Sequence, residues 1–316
     1  MNNEQPFTQA HAATAKLTRR NIEIISGLAA GFATTITTHP LDVIKVRLQL
    51  SHQTASGSSH KPFHSISSVL RRINHDAIVS SQRNHWSRPV NLMLEAYRGL
   101  VPNLVGNISA WGLYFTLYAE FKQHVHFASD TLTYFTSSTL AGLTTSVITN
   151  PIWVLKTRIL GESRGEPGAY RSLADGVRKM LRREGVASFW KGAIPSMFQV
   201  FQASLQITIY DQLKNYHIRG KKKSQQLHSW QYLYISATSK IFSSLIMYPA
   251  QVVKSRLQNS HGDLSILQVV KNLYFNEGGY AAFYKGLSAN ILRVLPATCI
   301  TFVTYESVKK YLTLHV

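Results

Sequence analysis

With 316 residues, and 34 Lys plus Arg against 15 Asp plus Glu, the chain carries a formal charge of +19. That excess points to an anionic partner: nucleic acid, anionic lipid or a phosphate-bearing small molecule. The single cysteine, Cys299, excludes an internal disulfide and a cysteine-held metal cluster, and a mean hydropathy of −0.07 conceals an alternation of apolar and basic stretches.

In chain order, residues 1–20 form a tail with Glu4 and no apolar core, which reads as neither a secretory signal nor a transit peptide. A first apolar span covers residues 22–38, where Gly27 and Gly31 make a G-x-x-x-G pair suited to close helix approach. It runs into "HPLDVIKVRLQ", in which Pro40 is followed five and seven residues later by Lys45 and Arg47. Proline in a helix interior removes a backbone hydrogen bond and kinks the chain, at roughly 3 kcal/mol. The joint that follows holds "SISSVLRRINH", with Ile66, Val69, Leu70 and Ile73 at helical spacing and Arg71 and Arg72 between them. Such a stretch lies on a membrane surface with its basic face toward anionic lipid. Two Ser- and His-rich segments of the same joint, "SHQTASGSSHKPFHS" and "SSQRNHWSRPVN", read as flexible. Tyr97–Gly99 ("YRG") closes the joint, and a second span covers residues 100–119.

The pattern then repeats twice. Spans over residues 132–150 and 192–210 flank "NPIWVLKTRIL", with Pro151, Lys156 and Arg158, the amphipathic "SLADGVRKMLRREG" and "WKG" at Trp190–Gly192. Spans over residues 232–250 and 287–305 flank "YPAQVVKSRLQ", with Pro249, Lys254 and Arg256, and "YKG" at Tyr284–Gly286. The second span of each repeat ends in a tyrosine motif: "YAEFK" (Tyr118–Lys122), "YDQLK" (Tyr210–Lys214) and "YESVK" (Tyr305–Lys309). From proline to the motif glycine the joints run 59, 41 and 37 residues, so the first is longest. The period of about 100 residues divides the chain into repeats at 21–125, 126–218 and 228–316, with a basic linker at 219–227.

Six charge-poor spans near the 17–25 residues that cross a ~30 Å hydrocarbon core predict an all-α membrane protein. Two spans per repeat bring each repeat back to the same side. Three copies can then surround a central path about a pseudo-threefold axis, which is a transport architecture. Buried helices of a soluble bundle rarely stay free of charge over this length. A nucleic-acid patch is disfavoured by the flanking spans, and no nucleophile–base pair, metal-ligand spacing or glycine-rich phosphate loop supports an enzyme.

The triple Pro-x-[acid]-x-x-Lys-x-Arg pattern, with its aromatic-basic-Gly and Tyr-acid-x-x-Lys companions, resembles the mitochondrial carrier family. "TNPIWVLKTR", "SAWGLYF" and "RVLPATCITFVTYE" are most similar to its carriers for FAD and folate, and those for NAD and pyrimidine nucleotides share Pro-Ile-Trp. The resemblance implies six tilted helices around a cavity, short surface helices on the matrix side, alternating access, residence in the inner mitochondrial membrane, and contacts with anionic lipids such as cardiolipin. It implies no bound cofactor. It also implies a matrix gate of Asp42, Lys45, Gln49, Trp153, Lys156, Gln251, Lys254 and Gln258. A cytoplasmic gate would comprise Tyr118, Lys122, Tyr210, Asp211, Lys214, Tyr305, Glu306 and Lys309.

Several positions depart from the family pattern. The gate acid is Asp42 in the first repeat but Trp153 and Gln251 in the others, so three lysines face one carboxylate. Gln49 and Gln258 stand at the brace position, where the second repeat has Leu160; Ala119 replaces a cytoplasmic-gate acid. Trp153 reads either as part of the gate or as a lipid-facing aromatic.

An ionisable side chain inside a span is a functional candidate by default. Arg293, seven residues after Gly286, stands where the family places a substrate-contacting cation, and its guanidinium suits phosphate oxygens. Lys240 lies mid-span, fourteen residues before Lys254 and on nearly the same helical face; it is either a second substrate contact or a structural partner of a neighbouring helix. At the matching offset in the second span, Gly106 leaves room for a planar group beside Asn107. Trp111 is free either to stack on a heterocycle or to pack between helices. In the fourth span the contact falls at Gln199 or Val200, with Gln202 a turn away. FAD is the expected substrate, with folate, NAD or a pyrimidine nucleotide as alternatives.

Overall fold

The computed structural model describes residues 19–51, 62–127, 129–162, 168–170, 172–219, 229–262 and 264–315. Most of the N-terminal tail, residues 52–61 of the first joint and nearly all of the basic linker lie outside these, together with the expectations placed on them. Among the described residues all regular structure is helical. The first third holds α1 (Arg19–Leu50), α2 (Pro62–Asn84), α3 (Arg88–Ala96) and α4 (Leu100–His124). The middle holds α5 (Asp130–Gly161), α6 (Leu173–Arg183) and α7 (Ala193–Arg219), and the last third α8 (Ser229–Asn259), α9 (Ile266–Lys271) and α10 (Leu287–His315).

Six helices are long. At about 1.5 Å per residue, α4, the shortest of them at 25 residues, exceeds a ~30 Å hydrocarbon core. They pack in chain order into a closed ring: α1 on α4, α4 on α5, α5 on α7, α7 on α8, α8 on α10 and α10 back on α1. Among the described residues, only the segment containing α10 is apolar enough to cross a membrane on hydropathy alone. The others carry hydroxyls, amides and cations on the face that lines the ring's interior, which lowers their mean hydropathy without shortening them.

The helices do not end at the prolines. Each of α1, α5 and α8 continues ten residues beyond Pro40, Pro151 and Pro249. One device supports all three: the residue before each proline bonds the carbonyl of the basic residue in the aromatic-basic-Gly motif. Asn103 Nδ2 donates to His39 Nδ1 at 3.2 Å, which leaves His39 Nε2 as the donor to the Arg98 carbonyl at 2.9 Å. Asn150 Nδ2 donates to the Lys191 carbonyl at 3.2 Å, and Tyr248 Oη to the Lys285 carbonyl at 3.1 Å. These ties anchor the kinked stretch to the joint beside it.

Beyond the prolines each helix buries apolar side chains against its own joint. Val43 and Leu48 meet Val69 and Ile73; Val154 and Leu155 meet Met180 and Phe189; Val252 and Val253 meet Leu273 and Ala282. At about 1.5–3 kcal/mol for each large side chain buried, these three clusters fix the surface elements under the ring. The amphipathic helices divide accordingly: Ile73 and Met180 are buried, whereas Leu70 and Leu181 stay exposed on the outer side.

Two sequence expectations are corrected. "SSQRNHWSRPVN" is not a flexible loop, because α2 runs to Asn84 and α3 begins at Arg88, where Pro89 is tolerated in the first turn. The Gly27–Gly31 pair is not a helix contact, since the space where side chains would stand is open at both positions.

Candidate functional site

The ring is shut at one end by two stacked layers. The outer layer is built from the three motif arginines. Arg47 donates to Glu95 at 3.0 Å and to the Leu160 carbonyl at 3.2 Å. Arg158, fully buried, grips Glu184 with both terminal nitrogens and donates to the Gln258 carbonyl at 2.9 Å. Arg256 donates to Glu277 at 2.7 Å and to the Leu50 carbonyl at 2.9 Å. Each arginine therefore binds the carboxylate of its own joint and the last carbonyls of the next proline-kinked helix. Those carbonyls have no partner within their helix and sit at the negative end of its dipole. Burial alone would raise the Glu184 carboxyl, but hydrogen bonds from Arg158 and Lys191, with the Arg158 charge, hold it at about 2.

The braces reach the opposite way, each from its kinked helix to the one before it. Gln49 donates to Tyr248 Oη at 3.2 Å and accepts from Ser255 at 2.8 Å. Gln258 accepts from Thr157 at 2.7 Å. Leu160, the apolar third member, joins the cluster around Val43 and Leu48. Each brace lies against a motif glycine with positive φ: Gln49 on Gly286, Leu160 on Gly99 and Gln258 on Gly192. A Cβ there would meet both an unfavourable backbone and an occupied volume.

Above this lies the lysine layer, where the repeats differ. Lys45 donates to Gln251 at 3.1 Å, Gln251 to Gln202 at 2.9 Å, and Gln202 to Ser244 at 3.3 Å. Lys254 donates to Gln199 at 2.7 Å. The third lysine, Lys156, stands 5.0 Å from the centre of the Trp153 ring, and Lys254 approaches the same ring at 6.0 Å. Trp153 is thus not lipid-facing. It lines the interior, is oriented by a 3.1 Å bond from its Nε1 to Thr149, and offers an aromatic face where the other repeats offer Asp42 or Gln251. Asp42 pairs with none of the lysines; its carboxylate is 3.1 Å from Arg293 Nε.

Over the lysine layer opens a cavity of about 800 Å³. Arg293, Asn107, Trp111 and Gln199 line it, together with Asp42, Lys45, Lys156 and Lys254. Trp111 stacks on Phe115 at 5.7 Å, and Tyr114 stacks on Tyr118 at 6.2 Å, so α4 carries an aromatic wall. Three expected contacts are placed differently. Gly106 is buried, and the room beside it is filled by the Ile152 side chain and the Trp153 indole, so the planar group lying there is the protein's own. Gln202 sits behind the lining, engaged with Gln251 and Ser244. Lys240 is half-buried off the cavity, within electrostatic range of Arg293 and Asp42.

The other end stands open. Tyr118, Tyr210 and Tyr305 belong to different helices, and among the described residues no ion pair joins Asp211 or Glu306 to Lys122, Lys214 or Lys309. Lys122 lies over Tyr134 at 4.7 Å, Lys214 over Tyr232 at 5.9 Å, and Lys309 over Tyr305 at 5.3 Å, with Glu23 at 3.9 Å.

Sequence reasoning missed two features. Glu95 supplies the first repeat's counterpart of Glu184 and Glu277, but it stands only four residues before its motif glycine and has no glycine after it. The residues before the prolines differ in type, His39, Asn150 and Tyr248, so their common role shows only in the carbonyls they reach.

This arrangement matches the family model described as "Mitochondrial carrier protein" over residues 21–76, 127–221 and 225–316. The chain belongs to the mitochondrial carrier family: it is a multi-pass transporter of the mitochondrial inner membrane, with six transmembrane helices in three pseudo-threefold repeats. It is 37% identical to the mitochondrial FAD carrier protein of Saccharomyces cerevisiae, over 91% of this chain and 96% of that one. It is 30% identical to a chloroplastic folate transporter of Arabidopsis thaliana, covering 92% and 95% of the two chains. The mitochondrial nicotinamide adenine dinucleotide transporter 1 of Saccharomyces cerevisiae is likewise 30% identical, over 92% of this chain and 77% of the other.

Proposed function

We propose that the chain carries FAD across the inner mitochondrial membrane. The observation that carries this reading is the cavity's composition: four cations and one carboxylate at its floor, and aromatic side chains from one helix on its wall. A volume of about 800 Å³ lies within the ~300–1,000 Å³ of sites that enclose small molecules. The surplus cations suit a diphosphate, since charge-assisted bonds to phosphate oxygens are the strong ones. Trp111 and Tyr114 suit the flavin, whose face stacks on aromatic rings. The similarity to a FAD carrier points the same way.

In this reading Arg293, with Gln199 and Asn107 beside it, reads the anion. The closed end is the matrix gate, formed by Asp42, Lys45, Gln49, Trp153, Lys156, Gln251, Lys254 and Gln258. The open end is the cytoplasmic gate, in which Tyr118, Tyr210 and Tyr305 close over the substrate with Lys122, Asp211, Lys214, Glu306 and Lys309. Substrate promotes exchange between the two states only by favouring the occluded form between them. Lys240 serves as a reserve cation behind Arg293. The exposed basic face of α6, Arg178, Arg182 and Arg183, rests on anionic lipid headgroups such as those of cardiolipin.

The test is uptake into liposomes holding the purified protein, comparing FAD, riboflavin, folate and NAD. Saturable FAD uptake that riboflavin does not share is expected. Arg293→Gln is expected to cut it at least tenfold, about 1.4 kcal/mol, with protein folded and inserted. Preference for folate or NAD would keep the gates and move the substrate.

A further inference from the structure

Among the described residues lining the cavity, Asp42 is the only acid, and it is held by the cavity arginine rather than by a lysine of its own layer. The three lysines have other company: Lys45 has Gln251, Lys254 has Gln199, and Lys156 has the Trp153 ring. The side chains of Arg293 and Asp42 retain 25% and 13% of their exposure, so the pair faces the cavity and a ligand can reach it. We propose that Asp42 is an internal competitor for the substrate's anion: it occupies Arg293 in the empty carrier and yields it when a phosphate or carboxylate group of the substrate arrives.

This rests on the reading of the cavity as the substrate site, and it adds a link from that site to the gate. Arg293 is on α10 and Asp42 on α1, so substrate that takes the arginine removes an ionic tie between two neighbouring walls at the floor. The released carboxylate stands among lysines that lack an acid. An anion is thereby required to loosen the floor, and a neutral heterocycle that fills the aromatic wall leaves the tie intact.

The proposal is tested on the full-length protein in detergent, by the rise in unfolding temperature with increasing FAD and, separately, inorganic pyrophosphate. Pyrophosphate reads the anion site whatever heterocycle the carrier takes. Asp42→Asn removes the competitor, so both ligands are expected to reach half-effect at roughly tenfold lower concentration, the equivalent of about 1.4 kcal/mol. In an Arg293→Gln background the same change is expected to do nothing.

Half-effect concentrations equal to or above wild type in Asp42→Asn would overturn the proposal. Sharpened pyrophosphate binding without FAD binding would keep the competition and reject FAD as substrate. Tight FAD binding in the wild type that Asp42→Asn leaves alone would do the reverse. Asp42→Gln replaces Asp42→Asn if that variant does not accumulate. If neither folds, Asp42 is a structural ion-pair partner and the proposal fails.

Discussion

The two layers that shut the ring are adjacent and built from the same helices, yet they obey different rules. In the arginine layer all three repeats do the same thing: a buried guanidinium, a joint carboxylate and the last carbonyls of the next helix. In the lysine layer, reached a few residues earlier in each helix, the three positions that could hold acids carry Asp42, Trp153 and Gln251. The regular layer balances every cation with a carboxylate and is cut off from the cavity. The irregular layer has three lysines for one carboxylate and forms the cavity floor. Repetition persists where the task is to hold helix ends together, and it lapses where one asymmetric molecule has to be met. The lysines are also held by weaker bonds, to amides and an aromatic face instead of carboxylates.

Breaking the arginine layer is expected to have the largest effect. Arg158→Met leaves Glu184 with Lys191 but strips the buried carbonyls of their donor, and losing one partner of a buried pair costs about 3–5 kcal/mol. The variant is expected to accumulate poorly and to melt well below wild type; a melting temperature within a degree or two would dissolve the contrast between the layers.

In the lysine layer the equivalent insult is smaller. Trp153→Leu removes the ring from Lys156 and Lys254, worth roughly 0.5–2 kcal/mol. It also vacates the space against Gly106. It is expected to leave folding nearly intact while altering transport severalfold, read as initial uptake rate against melting temperature in the same preparation. Equal losses in both would make Trp153 a scaffold residue.

A further test of the arginine layer uses acid. The Glu184 carboxyl is depressed from 4.5 to about 2, so its contribution to stability is complete above pH 4.5 and is lost as the pH falls toward 2. Glu184→Gln is expected to be less stable at neutral pH but to show a flatter decline over that window, followed as melting temperature against pH.

Much of this was legible in the chain. Pro40, Pro151 and Pro249, each with lysine and arginine at the same offsets, announced three repeats, and Trp153 and Gln251 marked a lysine layer short of acids. The sequence could not say what stands in for those acids, because a cation–aromatic contact and an amide chain depend on distances between helices remote in sequence. Gly106 misled for the same reason. Its missing side chain does make room for a planar group, but Trp153 on the neighbouring helix already fills it. Lys240 shows the limit of helical periodicity, which assigns a residue to a face but not to the depth at which a cavity begins.

The broken lysine layer has a consequence for the direction in which a cargo can lie. A floor with three identical thirds would accept an elongated molecule in three equivalent orientations and hold none of them for long. Among the described residues, the floor's carboxylate stands on α1 with its ionic partner on α10, and the stacked rings of the wall belong to α4 alone. An elongated molecule with a charged middle and a flat end therefore has one azimuth in which both are met. The carrier, threefold in its frame, is single-handed in its grip.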